Sequence, residues 1–319
     1  MRSFFTILAS LLLVAFPLAG HAEAYPSKTI KLIIPYAAGQ GTDVLGRYIG
    51  DVLSAELKQP IFVENRPGAN GNVGASTAAH SPADGYTLML GTNATNAANA
   101  FMFSNPGYKV EDFEPIGMIG VLPLVYVANN NSLVNNIQDL IGAARAKPAE
   151  LNIAISTTTC RVADELFKLR GEVSMFPVDF KGSSQSLAAV MGGQVEFMVD
   201  TITSLRPAIT AKQVKALGVT SMHQSKLLPG VKSLAEQGVA GYDLAGWTVL
   251  YVPKGVSAEV VATLSAALNK VLARSDVQEK LLLLGVEPQV KSDEELKAFL
   301  ASEKEKWGRL IRSAGIVVN

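Results

Sequence analysis

The segment from Ile30 to Leu53 has the pattern of a buried β-strand, a turn of small residues and a helix. Residues 30–34 are rich in isoleucine, which is typical of a parallel strand covered on both faces, and Pro35 ends the run. After Thr42, apolar residues recur at helical spacing. Such a turn directs backbone N–H groups and a helix N-terminus at one small volume, an arrangement that binds anions without a charged side chain. The sequence therefore predicts an anion site in this turn.

The length and the charge balance limit the class of protein. The apolar content of 48% fits a globular protein with a large core, and 319 residues favour two domains of roughly 150 residues each. Lys and Arg together number 28, as do Asp and Glu. This balance gives no indication of a nucleic-acid partner or a membrane-surface partner, so neither is expected.

Residues 1–24 have the pattern of a signal peptide. Arg2 gives a positive start, residues 4–16 form an apolar run too short to span a bilayer, and Ala22-Glu23-Ala24 fits a cleavage site. Cleavage after Ala22 and cleavage after Ala24 both fit, and an uncleaved membrane anchor is the alternative. Cys160 is the only cysteine, so neither an internal disulfide nor a lipid anchor beside the cleavage site is expected. An exported protein of this kind is expected in the bacterial periplasm.

The rest of the chain alternates strands and helices twice. Predicted strands at 60–64 and 86–90 follow the first strand, with helices between them, which favours a right-handed parallel sheet. The alternation restarts after residue 127. A last strand at 246–252 is followed only by helices, whose apolar stripes need a sheet to cover. We therefore expect the chain to return to the first domain, where these helices can cover the existing sheet.

These patterns predict an α/β fold of two domains, each a mainly parallel sheet flanked by helices. Residues 25–124 and 246–319 would form domain 1, and residues 125–245 would form domain 2. Two chain crossings, near 121–127 and near 242–248, would join them. Two domains joined in this way form a hinged clamp.

Small, hydroxyl-rich turns follow the predicted strands in both domains. In parallel sheets, ligands bind beyond the carboxyl ends of the strands. Ser, Thr and Asn side chains there offer neutral donors that suit a carboxylate, and a hydrogen bond to a charged group contributes about 1.5–3 kcal/mol. For any single turn, ordinary helix capping is an equally good explanation. Several such turns facing one cleft favour binding.

Other kinds of site fit the sequence less well. Gly39-Gln40-Gly41 after a strand, with Glu64 at the end of the next strand, suggests a dinucleotide site, but Val44 stands where the third glycine belongs. No P-loop or nucleophile elbow occurs. His80 and His223 are predicted in a helix end and a polar loop, so no metal site or catalytic pair is expected. We therefore predict no cofactor, no metal and no enzymatic activity; an exported α/β enzyme acting on a carboxylate is an alternative.

Six stretches, spread over nearly all of the mature chain, form a combined pattern. They are IPYAAGQGTD (34–43), ENRPGANGNVG (64–74), ADGYTL (83–88), FKGS (180–183), GGQVEFMVD (192–200) and the tail 307–315. Together they resemble the Bug receptors, the extracytoplasmic solute receptors of tripartite tricarboxylate transporters.

The resemblance implies a periplasmic binding protein of the Venus flytrap type. Such a receptor captures a small carboxylate, expected here to be a dicarboxylate or an aromatic carboxylate, by domain closure. It then delivers the acid to a tripartite tricarboxylate-type transporter. The implied partners are a small organic acid and the inner-membrane transporter subunits, and the receptor is expected to be a monomer. A ligand-sensing receptor that docks on a signalling partner is the other alternative.

The resemblance also implies the ligand-binding residues. In the family, the first turn and the turn after the third strand hold one carboxylate, and the second domain contacts the other end of the ligand. The predicted residues are Tyr36, Ala38, Gly39, Gln40, Gly41, Thr42, Asp43, Thr92, Asn93, Ala94, Ser156, Thr157, Thr158, Thr159, Arg161, Lys181, Gly182, Ser183, Asp200 and Thr201.

One of these turns, at residues 156–161, departs from the family pattern. The family turn is glycine-rich and ends in histidine, whereas this chain has Thr157-Thr158-Thr159-Cys160-Arg161. Fewer glycines restrict the backbone, and Arg161 adds a bidentate fork for a carboxylate. The hypothesis is that Arg161 holds the distal carboxylate of a dicarboxylate; the alternative is that it points outward or pairs with Asp164. Asp200 is expected either to repel extra negative charge or to accept a hydrogen bond from an amino or hydroxyl group.

Overall fold

The structure is a computed structural model that describes residues 25–316, so the predicted signal peptide lies outside the described residues. The strands are β1 (Ile30–Ile34), β2 (Ile61–Asn65), β3 (Thr87–Thr92), β4 (Phe113–Asn129), β5 (Asn152–Ile155), β6 (Phe176–Asp179), β7 (Phe197–Thr201), β8 (Val214–Val219), β9 (Ala245–Pro253) and β10 (Glu287–Pro288). The helices are α1 (Gly41–Leu57), α2 (Asn72–Ala79), α3 (Asn99–Met102), α4 (Ile137–Ala146), α5 (Thr158–Gly171), α6 (Ser183–Met191), α7 (Ile202–Thr210), α8 (Ala258–Leu272), α9 (Ser275–Leu283) and α10 (Asp293–Ser313). One π-helical turn, Ala94–Ala98, precedes α3.

The strands form two groups, which we call the first and second lobes. In the first lobe, β2, β1 and β3 are parallel, and β9, the start of β4 and β10 extend the sheet in antiparallel pairing. In the second lobe, β6, β5 and β7 are parallel, and the end of β4 lies antiparallel between β7 and β8. Each lobe therefore contains the predicted parallel sheet, but only as a set of three strands.

The antiparallel pairs have a physical reason in the two chain crossings. β4 is 17 residues long; it pairs with β9 up to Pro123 and with the second-lobe strands from Leu124 onward. The chain returns beside it, where the Leu244 N–H donates to the Thr220 carbonyl at 3.0 Å before β9 begins. Because the two crossings run in opposite directions, the strands that make them are antiparallel neighbours.

The helices after β9 pack against the sheet of the first lobe. Leu264 and Leu268 of α8 pack in one core cluster with Leu45 and Ile49 of α1, and Trp307 of α10 packs in the cluster on the other face of the sheet. The prediction of helices alone after β9 was wrong in one respect, because β10 adds a two-residue strand against β4. Within residues 25–316, no helix has the length and apolar character that crossing a membrane requires.

Candidate functional site

A cavity of about 40 Å³ lies between the lobes, where β1, β3 and β7 end. That volume holds only a few water molecules, so the lobes are closed on each other in this conformation. The lining residues are Tyr36, Gln40, Gly41, Thr42, Thr92, Asn93, Leu122, Thr157, Thr159, Ser183, Asp200, Thr201, Ser204, Gly246, Trp247 and Thr248. The lining contains no lysine or arginine among the residues that the structure describes.

The first turn brings the N-terminus of α1 to the cavity. Gln40 occupies the N-cap position, and its own side chain does not cap the helix. Asp43 does not line the cavity; it accepts hydrogen bonds from the Gly39 N–H at 2.9 Å and from Asn65 Nδ2 at 2.8 Å. Burial alone would raise the pKa of Asp43, but these bonds and the Arg47 guanidinium hold it below its usual range. Asp43 thus fixes the shape of the turn without itself lining the cavity.

The end of β3 adds two polar residues to the first-lobe wall. The Tyr36 hydroxyl and Thr92 Oγ1 are 2.7 Å apart, and burial raises the pKa of Tyr36 to about 12, so it stays a neutral hydroxyl. Asn93 accepts from the Trp247 N–H at 3.3 Å and donates to Thr159 Oγ1 of the second lobe at 2.8 Å. Asn93 therefore ties β9 to the opposite lobe. Ala94 is buried behind this wall and does not reach the lining.

The second lobe brings the N-termini of α5 and α7 to the cavity, and threonines cap both helices. Thr157 Oγ1 accepts from the Cys160 N–H at 3.2 Å, and Thr201 Oγ1 accepts from the Ser204 N–H at 3.3 Å. Thr158 lies outside the lining, and its Oγ1 donates to Oδ1 of Asn99 in the first lobe at 3.3 Å. These caps use the side-chain oxygens that would otherwise be free acceptors.

Asp200 is the one ionisable carboxyl group among the described lining residues. It accepts from Ser156 Oγ at 2.6 Å and from the Thr201 N–H at 2.7 Å. Burial raises the pKa of Asp200, although these donors oppose the shift. Ser156 serves Asp200 and does not itself line the cavity. With an acid and no basic side chain in the lining, any attraction for an anion must come from backbone and hydroxyl dipoles.

The N-terminus of α6 faces that of α1 across the cleft. Gly182 is its N-cap and, like Gln40, leaves the helix end without a side-chain cap. A Cβ atom on Gly182 would come within 2.7 Å of Gln40 Nε2, so the two turns are nearly in contact. Ser183, the first residue of α6, lines the cavity. Two helix N-termini from opposite lobes, neither capped by the side chain of its own N-cap residue, thus converge on one volume, and each favours negative charge.

The predicted cationic residues lie outside the cavity. Arg161 forms an ion pair with Asp179 beside a separate groove, and Asp164 instead pairs with Lys168 at 2.8 Å. Lys181 is exposed on the outer rim of the cleft, where Ala38 is also exposed. The structure therefore brings eleven of the predicted residues to the cavity, Asp200 among them, and leaves the two predicted cations at the edge.

Five lining residues were not predicted from the sequence: Leu122, Ser204, Gly246, Trp247 and Thr248. Four of them belong to the crossing strands β4 and β9. The predicted crossings gave a usable signal, because strands that pass between two lobes must border the cleft. Ser204, on α7, accepts from the Gly41 N–H at 3.1 Å and so closes the first turn against the second lobe.

A buried acid on the C-terminal helix supports the wall formed by Trp247. Glu303 Oε2 accepts from the Trp247 indole N–H at 2.8 Å and from the Trp307 indole N–H at 2.9 Å. Glu303 is only 8% exposed. α10 is thereby fixed to the strand that both lines the cavity and crosses between the lobes.

The family model of the tripartite tricarboxylate transporter family receptor matches residues 45–316. A protein encoded in the tcbD–tcbE intergenic region of Pseudomonas sp. strain P51 is 33% identical, over 92% of this chain and 88% of that protein. Protein BugT of Bordetella pertussis is 30% identical, over 92% of this chain and 91% of its own length. The chain belongs to the tripartite tricarboxylate transporter receptor family, and the resemblance to the Bug receptors is confirmed.

Solved structures agree with this assignment. R. palustris Rpa4515 with adipate has a TM-score of 0.89 at 31% identity, covering 92% of this chain and 99% of that one. The periplasmic binding protein BugD has a TM-score of 0.86 at 28% identity, with the same coverage. MatC of Rhodopseudomonas palustris with bound malate has a TM-score of 0.83 at 27% identity, covering 90% of this chain and 100% of that one. The predicted two-domain periplasmic binding protein fold is confirmed.

Proposed function

We propose that this protein is a periplasmic receptor that binds a small carboxylate between its lobes. The observation that supports this most directly is the convergence on one cavity of the N-termini of α1 and α6, neither of which is capped by the side chain of its own N-cap residue. Each helix end presents backbone N–H groups and a partial positive charge, which together bind a carboxylate without a basic side chain. The complexes of relatives with adipate and malate support the same ligand class.

The proposed binding step is closure of the clamp. The first lobe captures the carboxylate at the α1 turn while the cleft is open, because the closed cavity of about 40 Å³ leaves no room for entry. The second lobe then closes over the ligand. Contacts such as Gly41–Ser204 and Asn93–Thr159 form only in that state. A ligand shifts the equilibrium toward closure only if it binds the closed form better than the open one.

The moving units in this proposal are the two predicted domains. Their boundaries lie at 124/125 and 245/246, where β4 and the chain before β9 pass between the lobes. We further propose a dicarboxylate or an aromatic carboxylate as the ligand, a monomeric receptor, and delivery to a tripartite tricarboxylate-type transporter in the inner membrane. The proposed role is binding without catalysis.

A thermal-shift screen of the purified mature protein with small carboxylates tests the proposal. The panel includes aliphatic dicarboxylates, tricarboxylates, aromatic acids and amino acids. At about 100 times its dissociation constant, a true ligand adds roughly 2.7 kcal/mol to the stability. The matched neutral amides serve as controls and should have no effect. A panel in which no acid raises the melting temperature would contradict the proposal, and recovery of a chemically altered acid would indicate an enzyme.

A further inference from the structure

Thr248 lines the cavity and carries a buried hydroxyl group without a hydrogen-bond partner. Between positions 25 and 316, three neutral side chains have a buried nitrogen or oxygen without a hydrogen-bond partner: Asn96, Thr248 and Tyr251. Of these three, Thr248 is the one that lines the cavity between the lobes. It is only 1% exposed. A buried hydroxyl without a hydrogen-bond partner lowers the stability of the folded protein. Thr248 therefore does not stabilise the fold through its hydroxyl, and a role in ligand binding would explain the group.

The local structure explains why no protein group satisfies this hydroxyl. Thr248 lies on β9 between Thr92 of β3 and Gly120 of β4. Thr92 Oγ1 is already engaged with the Tyr36 hydroxyl at 2.7 Å, and Gly120 has no side chain. In an extended strand, a threonine also lacks the carbonyl of the preceding helical turn that satisfies threonines in helices.

The position of Thr248 places the hydroxyl beside the N-terminus of α1. Leu250 and Val252 follow it on the same face of β9, since side chains alternate along a strand, and both pack in the core cluster that contains Leu45 of α1. Thr248 continues that face to the cavity, where Gly41 at the start of α1 also contributes to the lining. The unpartnered hydroxyl and the uncapped helix end therefore border the same small volume.

We propose that the Thr248 hydroxyl donates a hydrogen bond to the carboxylate oxygen bound at the N-terminus of α1. Thr248 is then a specificity-determining residue, because it adds a directed donor where α1 adds only backbone N–H groups and a dipole. It favours acids whose carboxylate can contact both the N-terminus of α1 and the Thr248 hydroxyl. This inference rests on the proposed carboxylate-receptor function.

The test uses Thr248→Val, which keeps the shape of the side chain and removes the hydroxyl. The ligand is the strongest acid from the thermal-shift screen, measured by isothermal titration calorimetry. The variant should bind it about 10- to 100-fold more weakly, as expected for a hydrogen bond to a charged group. Without ligand, its melting temperature should be unchanged or higher, because an unsatisfied buried hydroxyl has been removed. Thr248→Ser, which keeps the donor, should restore most of the affinity.

Tyr251→Phe is the matched control. Tyr251 lies on the same strand, is 2% exposed and also has an unpartnered hydroxyl, but it does not line the cavity. This variant should bind the acid as the wild type does. Unchanged affinity of Thr248→Val would overturn the inference, and so would an equal loss in both variants, which would indicate a general effect on β9. If the wild type binds no acid at all, it is the proposed function that has failed.

Discussion

The two walls of the cleft satisfy their helix ends in opposite ways. On the first lobe, α1 has no side-chain cap, and hydroxyls such as that of Thr248 face the cavity. On the second lobe, Thr157 and Thr201 cap α5 and α7, and Asp200 brings a carboxylate to the lining. The second wall caps two of its helix ends with its own threonines, whereas the Gly41 N–H of the first wall donates to Ser204 of the opposite lobe. Under the proposed function, the first lobe supplies general affinity for a carboxylate and the second lobe decides what else the ligand can contain.

Gly41→Ala should break the contact between the two walls and have the largest effect on binding. A Cβ atom at Gly41 would lie 2.8 Å from Thr201 Oγ1 and 3.2 Å from Ser204 Oγ, so full closure would require these groups to shift. Overpacking of this kind costs about 1–3 kcal/mol, which corresponds to a loss of roughly 10- to 100-fold in affinity by calorimetry.

The stability of the Gly41→Ala variant separates closure from folding. Alanine is the better helix former, so the ligand-free variant should unfold at the same or a higher denaturant concentration. Gly50→Ala is the control on the same helix, since the nearest atom to its added Cβ is at 3.4 Å, an ordinary contact. Equal affinity of Gly41→Ala and the wild type would show that the closed contact at Gly41 is not part of the bound state.

Asp200→Asn should sharpen the role of the second wall. An ionised Asp200 repels a bound carboxylate, and two charges about 6 Å apart interact by roughly 3 kcal/mol at an effective dielectric constant of 20. After allowance for screening, we expect carboxylates to bind about tenfold more tightly to the variant, with the larger gain for a dicarboxylate. Weaker binding of an amino or hydroxy acid to the variant would show instead that Asp200 accepts a hydrogen bond from the ligand.

Asp43→Asn should weaken the support behind the first wall. The amide would place N–H groups against the donors of Asn65 and Arg47, so we expect a loss of about 1–2 kcal/mol in unfolding free energy at pH 7. The pKa of Asp43 is below its ordinary value of 3.8 in the folded protein, so its contribution is complete above that pH and disappears as the pH falls through the folded pKa.

Urea denaturation of both proteins from pH 7 down to pH 3 measures this dependence. The two stability curves should approach each other toward the acidic end, as the pH falls toward the lowered folded pKa of Asp43. A difference that stays constant over the whole range would mean that the Asp43 charge is not what stabilises the turn.

Arg161→Ala should have the smallest effect on binding. Arg161 is paired with Asp179 outside the cavity, so its removal should change the affinity for a dicarboxylate by less than about threefold. The hypothesis that Arg161 holds the distal carboxylate demands a loss of more than about tenfold. Calorimetry with a dicarboxylate and its monoester distinguishes the two, because only a bound distal carboxylate makes the loss specific to the diacid.

The elements predicted best from the sequence are those whose local residue pattern is enough to specify a helix, a strand or a turn. Apolar stripes after the last predicted strand indicated helices there, and the structure has α8 at Ala258–Leu272. The first turn was predictable for the same reason, since a strand, a glycine pair and a helix follow one another directly. β10 was not predictable, because Glu287–Pro288 has no strand pattern and forms only against β4.

The parts of the site that escaped prediction depend on contacts between distant segments. The local sequence pattern predicts that Trp247 and Thr248 are interior residues of a strand. They reach the cavity only because β9 passes between the lobes. Arg161 suggested a ligand contact because its nearest partner, Asp179, is 18 positions away on the end of β6. Side-chain pairing across strands follows from the sheet register, which the local pattern does not give.

The position of Glu303 has a consequence for optical measurements. The chain contains only two tryptophans, and both indole N–H groups donate to the same carboxylate oxygen. Trp247 borders the cavity, whereas Trp307 is fully buried in the core. The tryptophan fluorescence of the protein therefore originates from one pair of indoles linked through Glu303, and one of the two, Trp247, lines the cavity. This receptor can consequently report its own occupancy without a dye, and a phenylalanine at position 307 would isolate the signal of the cavity wall.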